Sequence, residues 1–452
     1  MKTMRGPKLL ALLAVLALVI AACGGGEGGD TTTTAAGEET TTSAAAATTT
    51  SAASGTTMAG GDLGSVTVAA GEDIQIRSLQ SITGDTATLG IPNQNATQLA
   101  IDDYGQIQGH NVTFGTGLDD LCSADGGQAA AAQIVADTQV VAVVGTSCSG
   151  AAAGAMPLIS DAGLVMISPS NTSPSMTSDL AGTQAENYRP GYYRTAHNDL
   201  FQGRAAAEFL FTDQGITKAA AIHDGDPYTD GLATAFADAF VELGGEVVIY
   251  TAVQKGDTDM VPVLTEVAAA APEAIFFPIF PPEGNFIAQQ IGGVTGLEDV
   301  LLMGADGLLV NAFVEIAESE GVYFSGPDQR YGTNTNGITG KTAEEVLATY
   351  NETFGEEPSA AFWAHSYDAT TMLLDAINTV AVDDGSGNLT IDRQALRDQL
   401  NSVSGFEGLI GTLSCDEFGD CGATKITVVQ KNAADQVTVA DVLPNVVYEF
   451  EG

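Results

Sequence analysis

Val140-Val141-Ala142-Val143-Val144-Gly145-Thr146-Ser147-Cys148-Ser149-Gly150-Ala151-Ala152-Ala153 passes, without a single charge, from five apolar residues through a small polar turn into an alanine-rich stretch. Five apolar residues in a row, with no alternation, predict a strand buried on both faces, the habit of a parallel sheet covered by helices. A helix over 151–161 and a strand over 164–167 follow, and the chain then enters the polar loop Ser168-Pro169-Ser170-Asn171-Thr172. Both polar loops leave the carboxyl ends of strands, the edge at which open α/β sheets bind ligands.

The same alternation extends in both directions. Upstream, strands are predicted over 74–79 and 111–118, and helices over 92–104 and 124–137. Downstream the pattern restarts with strands over 219–222, 246–250, 274–277 and 300–303, separated by helices over 230–243, 260–270 and 283–291. Here the turn Pro281-Pro282-Glu283-Gly284 stands where 146–150 stood, and Ala305-Asp306-Gly307 ends the last strand. An α/β protein of two open parallel sheets is expected, with two lobes facing each other across a cleft. A polar loop over 326–336, helices over 343–350, 359–380 and 393–401, and strands over 424–430 and 437–442 complete the chain.

Composition excludes several classes of partner. The 452 residues carry 57 Asp and Glu against 15 Lys and Arg, a formal charge of −42. Nucleic acid is ruled out, because a duplex binder needs clustered cations to neutralise phosphates, and anionic lipid headgroups are disfavoured for the same reason. A hydrophobic fraction of 44% is too high for a disordered chain and supports large packed lobes.

The N-terminus supplies an address. Lys2, Arg5 and Lys8 precede an apolar run over 9–20, and Ile20-Ala21-Ala22-Cys23-Gly24 follows, the order of a bacterial secretion signal. Twelve apolar residues are too few to span a bilayer. Small residues before a Cys resemble a lipobox, so residues 1–22 are expected to be removed and Cys23 to carry the lipid. Ordinary cleavage leaving Cys23 free is the alternative. Residues 23–68 are mostly Gly, Thr, Ala and Ser and read as a disordered tether with a reach of roughly 35 Å. The protein is expected to be extracytoplasmic and held to the cell membrane by lipid alone.

Four further Cys remain, an even number suited to an oxidising compartment. Cys415 and Cys421 flank the acidic turn Asp416-Glu417-Phe418-Gly419-Asp420, whereas Cys122 and Cys148 each follow a predicted strand, so the expected pairs are 122–148 and 415–421. A zinc site is the competing reading, but its two close Cys/His pairs are missing, and neither metal nor cofactor is expected.

Several stretches, taken in order, resemble the substrate-binding proteins of ABC importers for branched-chain amino acids. They are Leu118-Asp119-Asp120-Leu121-Cys122, Val144-Gly145-Thr146-Ser147-Cys148-Ser149, Ile167 to Pro174, Tyr193-Arg194-Thr195, His223-Asp224 with Tyr228, and Ser366-Tyr367-Asp368-Ala369. The resemblance covers nearly all of 73–452 and implies the type I periplasmic binding fold, two Rossmann-like lobes joined by three crossovers. It implies lobe one over 73–197 and 326–425, and lobe two over 198–325 and 426–452. It also implies pairing of the Cys corresponding to Cys122 and Cys148.

Carried over by residue, the resemblance places the ligand carboxylate on Ser149 and Thr172, with backbone contributions near Ser147 and Ser170. Chemistry supports this independently: Ser149 and Gly150 open a predicted helix, where free N–H groups and the helix dipole favour an anion. A simple N-cap role for Ser149 is the alternative. Asp306 falls where the family places an acid, usually Glu, against the α-ammonium; on local sequence it also reads as a solvated turn residue. Asp199 is a second ammonium contact, or else a hinge or helix-cap residue. Tyr228 matches an aromatic that covers the ligand, or packs at a helix start. Leu89 and Phe280 stand where the family has Tyr, leaving an apolar wall.

The resemblance implies a monomeric receptor that binds an apolar amino acid and delivers it to the permease and ATPase of an importer. A sensory receptor of the same fold for amino acids or amides, and a surface lipoprotein without a ligand, are the rivals. Enzymatic readings lack support: there is no nucleophile elbow, phosphate loop or dinucleotide fingerprint, and the His at 110, 197, 223 and 365 form no ligand-spaced pair. Asp224, Asp226 and Asp230 lack the Gly and terminal Glu of a calcium loop, and Asp226-Pro227 reads as a turn.

Overall fold

A computed structural model describes residues 63–452. The signal peptide, the Cys23 lipid site and most of the tether lie outside the described residues. Among the described residues no helix is long and apolar enough to cross a membrane.

The first sheet is parallel, in the order Val112–Thr113, Ile74–Gln80, Val140–Gly145, Val165–Ser168, Tyr192–Arg194, with Leu118–Asp119 also pairing to the end of Ile74–Gln80. Every residue of Val140–Gly145 is buried, as its unbroken apolar run requires. Helices Ala124–Ala136 and Ser149–Asp161 cover one face through Ile134, Ala152, Met156 and Ile159. Helices Trp363–Val380 and Arg393–Asn401 lie over the other through Leu373, Ile377 and Leu396, although they arrive late in the chain. Gly145 adopts a φ of 146°, and a Cβ there would lie 2.0 Å from the Leu79 carbonyl, so the strand can turn into its loop only with glycine.

The second sheet has seven strands, in the order Val446–Glu451, Lys425–Gln430, Tyr323–Pro327, Leu301–Gly304, Ala274–Phe276, Lys218–His223, Glu246–Ala252. Five run parallel; the two C-terminal strands run antiparallel at one edge. Its core is the aromatic cluster of Phe236, Phe240, Phe276, Phe313 and Phe324. Asp368, on helix Trp363–Val380, binds the crossover region: it accepts from the Leu409 and Ile410 amides at 2.9 and 3.0 Å and from Asn336 Nδ2 at 2.9 Å.

Four expectations need correction. Residues 437–442 are not a strand: Thr438 and Asp441 cap each other reciprocally and start the short helix Val439–Val442, and the last strand is Val446–Glu451. Residues 111–118 do not form one strand, because Gly115, at φ 64°, breaks it into Val112–Thr113 and Leu118–Asp119. The tether ends earlier than residue 68, since Ser65–Val68 pairs antiparallel with Leu389–Asp392. Val66 and Val68 alternate inward there, a two-residue signal lost among Thr and Ser. The helix expected over 359–380 starts at Trp363, leaving Phe362 outside it.

Cys122 bonds to Cys148 and Cys415 to Cys421. The first closes a 26-residue separation and joins the loops after two strands of the first sheet. Cys122→Ser is expected to lower unfolding free energy by about 3–4 kcal/mol, from loop-closure entropy, read by denaturant titration. A loss below ~1 kcal/mol would mean that the loops hold each other without the bond.

Candidate functional site

The loops from the two sheets meet in a small, nearly closed hollow, far below the volume of an open small-molecule site. It has room for about one water molecule, so the two rims are nearly in contact. Leu89, Ser147, Ser149 and Ser170 line it from the first sheet, and Tyr228, Phe280 and Asp306 from the second. Cys148, Gly307 and Phe362 complete the wall. A wider hollow of about 500 Å³ lies at the crossovers, beside Asp328, Arg330 and Lys425. Arg330 there pairs with Asp328 and Glu449, so its strongest charges satisfy one another, and the smaller hollow carries the unsatisfied chemistry.

The first rim is held by a buried acid. Asp120 accepts from the Ser147 amide at 2.7 Å through Oδ2 and from the Cys122 amide at 2.7 Å through Oδ1, and burial pushes its pKa up to about 7. The Ser147 hydroxyl is committed to Gln80 at 2.8 Å, and that of Ser170 to the Ser147 carbonyl at 3.0 Å. These two serines therefore shape the rim, and their hydroxyl protons are already donated within it. Asn171 Nδ2 and Ser168 Oγ both donate to the Thr146 carbonyl, at 3.0 and 2.8 Å. Arg194, buried and paired with Asp420, donates to the carbonyls of Asn171 and Ser173 at 3.1 and 2.8 Å and fixes the second polar loop.

Ser149 is the first residue of helix Ser149–Asp161, and Cys148 occupies the capping position. The N-cap reading of Ser149 therefore fails; the residue lines the hollow, and its hydroxyl accepts from the Ser173 amide at 3.4 Å. Gly150 departs from expectation: its amide donates to Asp226 Oδ1 at 3.2 Å, so an anion does sit at this helix start, but it belongs to the protein. Thr172 does not line the hollow. Its hydroxyl is buried behind the rim without a hydrogen-bond partner, and its carbonyl accepts from the Asp199 amide at 2.9 Å.

The facing rim is acidic. Asp306 Oδ1 accepts from Gln202 Nε2 at 2.6 Å and from the Tyr228 hydroxyl at 3.1 Å, and burial pushes its pKa up to about 6. Asp306 is thus buried and hydrogen-bonded, not a solvated turn residue. Asp199, also buried, has both carboxylate oxygens without a partner; burial first and the charge of Asp306 second hold its pKa well above the usual carboxylate range. The Thr172 hydroxyl is near enough to favour the ionised form but meets no strict hydrogen-bond geometry. Asn198, not Asp199, caps helix Asp199–Glu208. Two buried acids with this little compensation are relieved either by holding a proton or by meeting a cation.

Tyr228 is fully buried; its hydroxyl also accepts from the Gly307 amide at 3.0 Å, and burial raises its pKa. Its ring lies 5.0 Å from that of Phe280, giving the hollow an apolar side. Gln202 relays to His197, whose Nε2 donates to Gln202 Oε1, and burial lowers the His197 pKa to about 4, keeping it neutral. Asp120, Gln202 and Phe362 escaped the sequence reading as site residues. Asp120 lay inside a quoted motif and Gln202 three residues beyond Asp199 on one helix face, whereas Phe362 gave no signal.

Over residues 73–435 the chain matches the family described as periplasmic binding protein. It is 27% identical over 365 residues to the Leu/Ile/Val-binding protein homolog 3 of Brucella melitensis, covering 80% of this chain and 92% of that protein. A leucine-, isoleucine-, valine-, threonine-, and alanine-binding protein of Pseudomonas aeruginosa is 26% identical over 368 residues, covering 80% and 90%. Among solved structures, a leucine binding protein from Thermotoga maritima aligns with a TM-score of 0.69 at 25% identity, covering 84% of this chain and 99% of that one. With two parallel-sheet halves, loops meeting at their carboxyl edges and a match over most of its length, the chain belongs to the periplasmic binding protein family and has its type I fold.

Proposed function

We propose that the protein is the lipid-anchored solute receptor of an ABC importer, binding an amino acid with an apolar side chain between its lobes and handing it to a permease. Lobe one comprises 73–197 and 326–425, and lobe two 198–325 and 426–452. One observation carries the reading: Asp306, with Asp199 behind it, faces Ser149 across a hollow walled by Leu89, Phe280 and Phe362. The ligand ammonium meets the acids, its carboxylate meets the Ser149 rim with Thr172 behind it, and its side chain fills the apolar wall. Relatives named for leucine, isoleucine and valine support the substrate class. The order of charges, apolar run and Cys23 supports export and lipid anchoring, and a monomer needs no second chain to complete the hollow.

Calorimetric titration with the twenty amino acids and short amides tests the substrate class. Binding of leucine, isoleucine or valine is the expected result; silence from every amino acid would retire it.

A further inference from the structure

Asp226 is a buried acid that the ligand site does not use. It follows strand Lys218–His223 of the second sheet and caps helix Pro227–Glu242, its Oδ1 accepting from the Tyr228 amide at 3.0 Å. A cap needs no burial: Asp392 caps helix Arg393–Asn401 while exposed to solvent. Asp226 is only 6% exposed because loops of the first sheet close over it. The same Oδ1 accepts from the Gly150 amide at 3.2 Å, at the start of helix Ser149–Asp161. Oδ2 faces Lys255 Nζ at 3.2 Å, and that ammonium also donates to the Cys122 carbonyl at 3.2 Å and lies 5.7 Å from the centre of the Phe280 ring. Beside them the Ser173 hydroxyl donates to the Pro227 carbonyl at 2.8 Å.

Three of these contacts run from one sheet's loops to the other's: Asp226 to Gly150, Lys255 to Cys122, and Ser173 to Pro227. They sit at the edge of the hollow, where Phe280 forms part of its wall. Gly150 is required for the fit, since a Cβ there would stand 2.2 Å from Asp226 Oδ2. Opening the cleft would break all three contacts and return Asp226 to water.

We propose that Asp226, Lys255 and Gly150 form a clasp across the cleft mouth that holds the lobes together and sets how long a bound ligand stays. The proposal rests on closure of the cleft around a ligand, as read above. Contacts made only in the closed form bias the equilibrium toward it whether or not they touch the ligand. The clasp therefore makes affinity depend on residues outside the hollow, mainly through dissociation.

Three variants separate the clasp from simple helix capping. Asp226→Asn keeps an efficient cap but loses the ion pair. Lys255→Met keeps the stem over Phe280 without the charge, and Gly150→Ala displaces Asp226. In small-angle X-ray scattering of the ligand-free protein, each variant is expected to have a larger radius of gyration than the parent. Stopped-flow dissociation of leucine is expected to be about fivefold faster, the loss of roughly one hydrogen bond's net contribution. Because Lys255→Met leaves the cap at Asp226 untouched, a folding defect in either of the other two variants does not end the test. An unchanged radius of gyration in the variants that fold overturns the proposal. The scattering needs no ligand, so it decides the clasp even where leucine fails to bind.

Discussion

Asp306→Asn is expected to weaken leucine binding by about 10²- to 10³-fold in calorimetry, while the ligand-free protein melts no lower than the parent. The ligand ammonium leaves water on entering the hollow, and breaking a buried pair by removing one partner costs about 3–5 kcal/mol. The folded protein has little to lose. Asn retains an acceptor for Tyr228 and Gln202, which now bond to Asp306 Oδ1. It also removes the charge that presses on Asp199. A variant that binds leucine with parental affinity would place the ammonium elsewhere, and one that melts far below the parent would make Asp306 a structural residue.

Acidification is expected to weaken ligand binding, while protonation of Asp306 itself favours the empty fold. Burial raises the Asp306 pKa to about 6 against an ordinary value of 3.8. A raised carboxyl pKa means that the folded state holds the proton more tightly than the unfolded chain. The stability contributed by this group is therefore complete below about pH 4 and lost as pH rises through 6, in total about 3 kcal/mol. Asp368, at about 6, and Asp120, at about 7, act in the same sense. Ligand binding runs the other way, because the ammonium needs the ionised carboxylate. Affinity is expected to fall about tenfold from pH 7 to pH 5. Asp199, Gln202, the Tyr228 hydroxyl and neutral His197 surround Asp306, and none supplies a positive charge that would cancel the effect. Melting curves with and without leucine, for the parent and Asp306→Asn, isolate the contribution. A ligand-induced shift that stays constant across pH 5–7 in the parent would contradict it.

The alternation of strands and helices was legible because buried parallel strands leave unbroken apolar runs, as in Val140–Gly145 and Ala274–Phe276. The short pieces were not. Ser65–Val68 offers two inward valines, and Val439–Val442 is helical only because Thr438 and Asp441 cap each other against a strand-like composition. Ser149 and Asp306 could be placed near one another because loops at carboxyl strand ends converge in this architecture, whereas Leu89 was placed only by the family resemblance. What each side chain does there was not readable. Periodicity cannot tell that the Ser147 hydroxyl is committed to Gln80, or that Asp226 takes the amide of Gly150 from across the cleft. Partners separated by 67 or 76 positions are set by how strands of one sheet, or the two halves, meet, not by local sequence.

The central claim is that one rim takes a negative group while the other takes a positive one on the same small molecule. Leucine can be compared calorimetrically with 4-methylpentanoate, which lacks the ammonium, and 3-methylbutylamine, which lacks the carboxylate. Strong binding of leucine, with both analogues weakened by at least about 10²-fold, is the expected result. Either analogue binding as well as leucine would contradict the two-rim account.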